Sequence, residues 1–358
     1  MGWALSIDRA NVADVKLAED PGRPLEPGEA RLAVKRFALT ANNITYAVFG
    51  ESMGYWNFFP GADGRGRLPV WGFAEVAEPG DTGLEAGERI YGYFPAAAEL
   101  IVRPARVSAE AFFDAAPHRA GLPSAYNRYV RCAADPAWSA EREPVQMVHQ
   151  PLFITAFLID LHLREEEAFG AGRISLTSAS SKTALALAYL LSRDRGHKAQ
   201  IEALTSPRNR DFVAGTGFYD EIATYDEIRG FAAEPARLIV DFAGDAGVNT
   251  ALHETLAETL KANIRVGGAH WEQSAPARGL PGPKPVFFFA PDHVKRRSAE
   301  WGGATFAARY GAAWTDYADT AATMFESREL TGAEAALEIY RAFIEGSASA
   351  SEALTVSV

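Results

Sequence analysis

Small hydroxyl residues and one lysine stand together between an apolar segment and a helix-forming segment. They occupy the centre of RISLTSASSKTALALAYLLSR and are Ser178, Ser180, Ser181, Lys182 and Thr183. Hydroxyl and ammonium groups at the start of a helix suit a phosphate, because the first turn has unpaired N–H groups and the positive end of the dipole. The alternative is that Ser180 or Ser181 only caps the helix.

The elements on either side of this loop are half of a βαβ unit. Residues 174–177 form a short apolar strand, and the leucines and alanines of 184–191 recur at helical spacing. Neither the dinucleotide fingerprint G-x-G-x-x-G nor the P-loop G-x-x-x-x-G-K-[ST] is present, so a triphosphate site is not predicted. Serines would have to take the place of the glycines.

Length, composition and charge exclude several classes of protein. The chain has 358 residues, 48% of them hydrophobic and 23% charged, which suits a globular protein of two domains. A net charge of -11 argues against a nucleic-acid partner. No apolar run predicts a membrane span, and the first residues do not resemble a signal peptide. A single cysteine, Cys132, predicts a reducing, cytoplasmic location and excludes a zinc site of several thiolates.

Hydrophobic periodicity predicts two kinds of domain. Residues 27–39 alternate as a half-buried strand, and 70–77, 89–94 and 99–104 read as further short strands of an antiparallel barrel. From 174 to 289, apolar strands alternate with helices, as in a doubly wound parallel sheet. A helix is predicted from Pro151 to Phe169, and the tail from Asp292 is predicted to be mostly helical. Residues 108–143 give no clear assignment.

Three stretches resemble the medium-chain dehydrogenase/reductase superfamily: PGEARLAVKRFALTANNITYAVFG, GLEAGERIYGYFPAAAELIVRP and LTSPRNRDFVAGTGFYDEIATYDE. The sequence is most similar to a domain-of-unknown-function family with a SASSKTA loop. The resemblance implies an α/β fold, with a Rossmann doubly wound parallel sheet plus a GroES-like antiparallel β-barrel domain. The expected domains are 1–149 with 292–358, containing the barrel and a helical return, and 150–291, the dinucleotide-binding domain.

The same resemblance implies NADP(H) as cofactor. The serine loop is expected to hold the pyrophosphate. Thr205, Ser206 and Arg208 follow the second strand, where an NAD enzyme has an acidic residue, and therefore suit the 2′-phosphate of NADP. Arg208 is otherwise a solvated residue at a helix start. The remaining expected cofactor residues are Tyr219, Asp241, Ala243, Gly244 and Phe289.

Residues of the substrate site are expected on both domains. The zinc ligands of the alcohol dehydrogenases are missing, so the sequence is similar to the zinc-free quinone and enone reductases. A carbonyl must then be polarised by hydrogen-bond donors. The candidate catalytic residues are Asn42, Tyr46 and His270, and the candidate substrate-binding residues are Asn43, Tyr91, Tyr93 and Trp271. The aromatic residues of 55–59 form either an apolar lid or a loop folded onto the barrel or a dimer partner.

These features predict a zinc-independent, NADPH-dependent reductase of an activated C=C or C=O in a medium-sized, partly apolar small molecule. The site is expected in a cleft between the two domains of a homodimer subunit. The alternative is a redox sensor or structural protein that binds NADPH without turnover, since zinc-free hydride transfer requires no unique side chain.

Overall fold

The chain folds into two compact units. The computed structural model describes residues 2–135, 138–194, 196, 198–266 and 279–358. The first unit comprises residues 1–148 and 325–358, and the second comprises residues 149–324. The second unit therefore includes residues 292–324, which the sequence placed with the barrel.

Helices and strands alternate differently in the two units. The helices are α1 (Ala41–Val48), α2 (Glu143–Glu165), α3 (Lys182–Arg193), α4 (Arg210–Thr216), α5 (Ala246–Leu256), α6 (Ala290–Trp301), α7 (Gly303–Met324) and α8 (Gly332–Ile344). The first ten strands are β1 (Trp3–Asp8), β2 (Val15–Glu19), β3 (Ala30–Leu39), β4 (Arg65–Arg67), β5 (Pro69–Glu78), β6 (Arg89–Pro95), β7 (Glu99–Val102), β8 (Pro104–Ala105), β9 (Ala111–Asp114) and β10 (Arg128–Arg131). The others are β11 (Arg173–Thr177), β12 (Gln200–Thr205), β13 (Glu221–Thr224), β14 (Arg237–Asp241), β15 (Leu260–Arg265), β16 (Val286–Phe287), β17 (Glu326–Thr331) and β18 (Glu352–Ser357).

The first unit is built around a large, mainly antiparallel sheet. Its strand order is β17-β18-β3-β5-β6-β10-β9-β8, and β7 also pairs with β3. The alternation in β3 is real, because Ala30, Leu32 and Val34 are fully or almost fully buried. The tail contains two strands that the sequence did not predict: β18 pairs antiparallel with β3, and β17 pairs parallel with β18. Leu354 and Val356 are buried from β18, which explains why this segment joins the sheet.

Helix α2 begins earlier than the sequence predicted. The prediction started at Pro151, a good first helical residue, but the helix runs from Glu143 and keeps this proline inside. Glu143 is buried, and its carboxylate accepts hydrogen bonds from Arg89 at 2.6 and 2.8 Å and from Arg36 at 3.3 Å. Tertiary ion pairing therefore fixes the start of this helix.

The second unit has the strand order of a Rossmann domain. Its strands lie in the order β13-β12-β11-β14-β15-β16, and every neighbouring pair is parallel. Counted from β11, this is the order 3-2-1-4-5-6 of dinucleotide-binding sheets. Strands β11 and β14 are almost entirely buried, as expected for strands covered on both faces. The predicted fold class is confirmed.

Aromatic packing explains why α7 belongs to the Rossmann unit. The ring of Tyr317 stacks on Phe153 of α2 at 4.9 Å and lies 5.3 Å from Tyr189 of α3. Tyr317 is fully buried by these contacts. In the described part of the chain, no helix is long and apolar enough to cross a membrane.

Candidate cofactor and substrate sites

The serine loop lies at the point where the strand order of the Rossmann sheet reverses. The loop follows β11. This strand pairs with β12 on one side and with β14 on the other, where Leu176 lies opposite Val240. Loops after β11 and β14 therefore leave the sheet side by side. Ligands of open parallel sheets bind in the crevice at this position.

Two tyrosines hold the serine loop in place. Ser178 has a φ of +47°, in the left-handed region where glycine is usual. Its N–H donates to the hydroxyl of Tyr225 at 2.9 Å. The carbonyl of Ala179 accepts from the hydroxyl of Tyr219 at 2.8 Å, and its N–H donates to the carbonyl of Leu204 at 3.1 Å. Tyrosine hydroxyls thus fix a backbone turn that glycines make in the usual fingerprint.

These contacts divide the loop into supporting and ligand-facing groups. Ser181 is the N-cap of α3 and accepts from the N–H of Ala184 at 3.4 Å, as the capping alternative predicted. The hydroxyl of Ser180 accepts from Asn209 at 3.0 Å, which leaves its own proton to donate to another acceptor. Thr183 lies in the first turn of α3, where backbone N–H groups have no hydrogen-bond acceptor within the helix.

Lys182 brings a positive charge to the same helix start. Burial, together with the charge of Lys182, lowers the pKa of His149 well below its ordinary value. His149 is therefore neutral at pH 7. The positive charge of Lys182, at the start of α3, is therefore close enough to influence a buried neighbour.

Tyr219 supports the loop, whereas the sequence predicted that it contacts the cofactor. Its ring packs with Ala179, Ala203 and Val213, and its hydroxyl is used by the Ala179 carbonyl. Tyr225, which the sequence did not single out, has the equivalent role at Ser178. Burial raises the pKa of Tyr225 to about 12 and keeps its hydroxyl protonated.

Asp241 shapes the neighbouring loop from inside the protein. It is fully buried, and one carboxylate oxygen accepts from Thr177 at 2.6 Å and from the N–H of Gly244 at 3.0 Å. The other oxygen accepts from Asn249 at 2.7 Å. The sequence predicted that Asp241 contacts the cofactor, but both oxygens of its carboxylate accept these internal hydrogen bonds instead. Ala243 and Gly244 are buried at the turn, and Gly244 adopts a φ of +65° that favours glycine.

The end of β12 carries the predicted 2′-phosphate residues. Thr205 is buried, whereas Arg208 is exposed in the short turn after the strand. The hydroxyl of Ser206 is buried and has no hydrogen-bond partner among the residues that the structure describes. An unpaired buried hydroxyl carries a free-energy cost, which a hydrogen-bonding partner would remove. Phe289 is the N-cap residue of α6, and its carbonyl accepts from the N–H of Asp292.

In the first unit, helix α1 carries Asn42 and Tyr46 one turn apart on the same side. The indole N–H of Trp71 donates to the Tyr46 hydroxyl at 3.2 Å. The side chains of Asn42 and Tyr126 are also close enough to this hydroxyl to influence its ionisation. Two residues predicted to hold a substrate oxygen are therefore close together.

Four tyrosines form one cluster around this point, and we call them the tyrosine cluster: Tyr46, Tyr55, Tyr93 and Tyr126. Their ring centroids lie 4.8 to 6.3 Å apart in the five recorded pairs. The hydroxyls of Tyr55 and Tyr126 are 3.4 Å apart. The hydroxyl of Tyr93 is buried and has no hydrogen-bond partner in the described chain.

Other predicted substrate residues have different surroundings. Asn43 is buried; its amide oxygen accepts from the N–H of Thr40 at 2.7 Å, and its nitrogen donates to Pro69 at 2.8 Å. This amide completes the capping box of α1. Both of its polar atoms hold the local structure, so the predicted contact of Asn43 with a substrate is replaced by a structural role. Tyr91 is buried and stacks on Trp71 at 5.7 Å.

The aromatic run at 55–59 is part of the core of the first unit. Its four aromatic residues, Tyr55, Trp56, Phe58 and Phe59, are all buried. The loop is therefore folded onto the unit, as the second of the two alternatives predicted. His270 and Trp271, also predicted at the site, lie outside the described residues.

Sequence reasoning missed Tyr126 and the contribution of Trp71. Tyr126 belongs to 108–143, which showed no periodicity, and it reaches the cluster through a turn before β10. Trp71 was read only as part of a strand. A tryptophan donates one hydrogen bond and packs a large ring, so its place beside a tyrosine depends on tertiary structure. In the described residues, no group of three or more His, Cys, Asp or Glu side chains is arranged to hold a metal ion.

The Rossmann strand order, with a mainly antiparallel unit formed by the two ends of the chain, defines the two-part fold of the medium-chain dehydrogenases and reductases. A sequence profile described as "protein of unknown function (DUF2855)" matches residues 37–349. The chain belongs to this DUF2855 family. No curated protein matches the sequence significantly.

Several solved structures share the fold over nearly their whole length. CurA from Vibrio vulnificus in complex with NADPH is 12% identical, with a TM-score of 0.61 over 98% of this chain and 96% of that one. The yhdH oxidoreductase of Salmonella enterica with NADP is 13% identical, with a TM-score of 0.55 over all of both chains. A mutant enoyl thioester reductase from Candida tropicalis is 12% identical, with a TM-score of 0.55 over 100% and 99%. At these identities the likeness shows the fold.

Proposed function

We propose that this chain is a zinc-independent, NADPH-dependent reductase of an activated C=C or C=O in a medium-sized, partly apolar molecule. The observation that carries the proposal is the serine loop. It lies at the reversal of a Rossmann sheet, is braced by Tyr219 and Tyr225, and directs Ser180, Lys182 and Thr183 to the helix start. Structures of the same fold with bound NADPH or NADP support the same cofactor here.

NADPH is preferred to NADH in this proposal. Ser206 has a buried hydroxyl available to a ligand, and Arg208 is an exposed arginine two residues later. Arginine and hydroxyl groups pair well with a phosphate dianion, whereas a ribose hydroxyl is best held by a carboxylate. Losing the arginine contact should cost about 1.5–3 kcal/mol of NADPH binding.

Nicotinamide fluorescence measures this preference directly. NADPH and NADH are titrated into the purified protein and into the Arg208→Ala variant. The wild type should bind NADPH more tightly, and the variant should lose that preference with little change for NADH. Arg229, an exposed arginine of the same unit, provides the matched Arg229→Ala control. Equal affinities of the wild type for both nucleotides would contradict the proposed preference.

The tyrosine cluster and Asn42 are proposed to hold the substrate oxygen. Hydride reaches the substrate carbon, and negative charge develops on the oxygen. Trp71 can only donate, so Tyr46 accepts from it and directs its own proton elsewhere. A hydroxyl and an amide so placed can stabilise an oxyanion without a metal.

NADPH consumption with quinones, enones and aldehydes tests the reaction. Turnover of at least one class is expected. Asn42→Ala should lower turnover while leaving NADPH affinity nearly unchanged, because the residue is on α1 and the cofactor loop precedes α3. Tight NADPH binding without turnover across the panel would instead favour the sensor alternative.

Zinc independence has its own measurement. Active protein should contain no stoichiometric zinc by elemental analysis and should keep its activity in chelator. Tightly bound zinc whose removal abolishes activity would refute this part of the proposal.

A homodimer is proposed through the edge strand β16. Val286 and Phe287 are 67% and 45% exposed on this strand, an apolar edge that favours pairing with another chain. Val286→Lys should shift the mass measured by light scattering from dimer to monomer. A wild-type protein that is monomeric at high concentration would contradict the proposal.

A further inference from the structure

Tyr126 is the residue that joins the tyrosine cluster together. Its ring lies 4.8 Å from Tyr93, 5.8 Å from Tyr55 and 6.3 Å from Tyr46, and it also contacts Phe58 and Trp71. The other three tyrosines of the cluster are at most 7% exposed, whereas Tyr126 is half-buried. It is therefore the member of the cluster that a ligand can reach.

The hydrogen bonds of the cluster have a direction. Trp71 donates to Tyr46, so the proton of Tyr46 points to Asn42, to Tyr126 or to a ligand. Tyr126 in turn lies within 3.4 Å of the hydroxyl of Tyr55. One hydroxyl of such a pair donates and the other accepts. Tyr55 is therefore the hydrogen-bond partner of the Tyr126 hydroxyl.

A second observation points to a ligand at this place. The Tyr93 hydroxyl is completely buried beside Tyr126 and has no partner in the described residues. An unpaired buried hydroxyl carries a free-energy cost that a bound polar group would remove. The cluster thus contains both a polar atom that needs a partner and a phenol that a ligand can approach.

We propose that Tyr126 is the catalytic proton donor of this chain, with the Tyr55 hydroxyl as its hydrogen-bond partner. This assignment rests on the proposed reductase function and adds an acid from the segment between β9 and β10. Burial raises the pKa of Tyr126 well above its ordinary value, so the phenol stays protonated throughout the neutral range.

The step balances as a two-electron reduction. NADPH gives a hydride to the substrate carbon and becomes NADP⁺, while the electron pair of the π bond moves to form an enolate or alkoxide. Tyr126 gives its phenolic proton to this anion and becomes phenolate. Solvent water then reprotonates Tyr126, which is the most exposed member of the cluster. One NADPH and one proton are consumed for each substrate molecule reduced.

Tyr126→Phe is the main test, measured by NADPH oxidation with whichever substrate class the wild type reduces. We expect kcat to fall by about 100-fold or more, the usual effect of losing a general acid. NADPH affinity should change by less than about threefold, because the cofactor loop is part of the other unit. Tyr55→Phe should lower kcat by a smaller factor, since it removes the hydrogen-bond partner of the acid and not the acid itself.

Chemical rescue separates a proton donor from a packing residue. In Tyr126→Phe, kcat should rise with the concentration of a small buffer acid such as imidazolium, whereas in the wild type it should not. The matched control is Tyr340→Phe, another buried tyrosine of the same unit, whose hydroxyl donates to Val12 at 2.8 Å. This control should leave kcat unchanged and insensitive to buffer acid.

Two outcomes would overturn the assignment in different ways. A folded Tyr126→Phe variant with kcat within threefold of the wild type refutes the donor while leaving the reductase function intact. A wild type that binds NADPH but reduces no substrate refutes both. If Tyr126→Phe does not fold, 3-fluorotyrosine at this position keeps the shape and lowers the phenol pKa. The donor then predicts a changed kcat and solvent isotope effect, and an unchanged pair of values refutes it.

Discussion

Tyr219→Phe provides a direct test of how a loop without glycines can serve as a phosphate site. The substitution removes one oxygen and keeps the ring that packs against Ala179, Ala203 and Val213. The lost contact is the 2.8 Å hydrogen bond to the carbonyl of Ala179, a residue that is fully buried. We therefore expect both a stability effect and a cofactor-binding effect.

The magnitude follows from the burial of that carbonyl. A buried acceptor left without its donor costs about 1–3 kcal/mol, and in a unit of this size each kcal/mol lowers Tm by about 2–4 °C. The Rossmann unit should thus lose about 4–8 °C for a cost of about 2 kcal/mol. If half of that cost is lost alignment of Ser180 and Lys182, NADPH affinity falls by roughly fivefold.

Calorimetry and NADPH fluorescence titration measure the two effects separately. Tyr189→Phe is the matched control. Tyr189 lies on α3, away from the loop, and its hydroxyl donates to the Asp316 carboxylate at 2.6 Å. This control should lose stability and keep its NADPH affinity. Tyr219→Phe combined with Tyr225→Phe should be non-additive in binding, since both hydroxyls hold one loop.

The reasoning fails if Tyr219→Phe and Tyr189→Phe lower Tm equally and both bind NADPH like the wild type. Loop alignment would then be independent of the tyrosine hydroxyls, and the phosphate site would have to be explained by the helix start alone.

Two further predictions concern backbone strain and acid stability. Ser178→Gly should raise the free energy of unfolding by about 1 kcal/mol, because a non-glycine residue at a φ of +47° is strained. Urea unfolding measures this change. An unchanged or lower free energy of unfolding would show that the serine side chain contributes more than the strain. Hydrogen bonds from Arg23 to the buried Glu29 lower the pKa of that carboxyl to about 2, below its unfolded value of 4.5. The charged carboxylate therefore stabilises the fold fully above pH 4.5. This stabilisation is lost as the pH falls from 4.5 to about 2. Glu29→Gln should therefore be about 1–2 kcal/mol less stable than the wild type at pH 7 and equal to it near pH 2, whereas a difference that does not depend on pH would contradict this assignment.

Local periodicity determined much of the fold of this protein. The apolar runs of β11, β12 and β14, each followed by a helix or turn, specified a parallel sheet, because only strands covered on both faces have this pattern. The alternation of β3 specified a half-buried antiparallel strand in the same way. Hydroxyl residues before α3 also predicted both a capped helix and an anion site, and Ser181 is the cap.

Tertiary structure decided which of the candidate polar groups remain available to a ligand. Asn43, Asp241 and Tyr219 have chemically suitable side chains, but each is used by a backbone or side-chain partner from elsewhere in the chain. Their partners Pro69, Thr177 and Ala179 lie 26 to 64 residues away along the chain. No local sequence pattern reveals hydrogen bonds over such separations.

The position of Tyr126 shows the same limit in the opposite direction. The sequence around it has no helical or strand period, since its segment is held by turns and by contacts with distant rings. Only folding brings it to Tyr55, 71 residues earlier, and to Tyr93 and Trp71 on neighbouring strands. The sequence by itself determined the strands and the helix around the proposed phosphate site, because these depend on spacing along the chain. The tyrosine cluster depends on distances in space, so it was decided by the packing of strands and turns that are far apart in sequence.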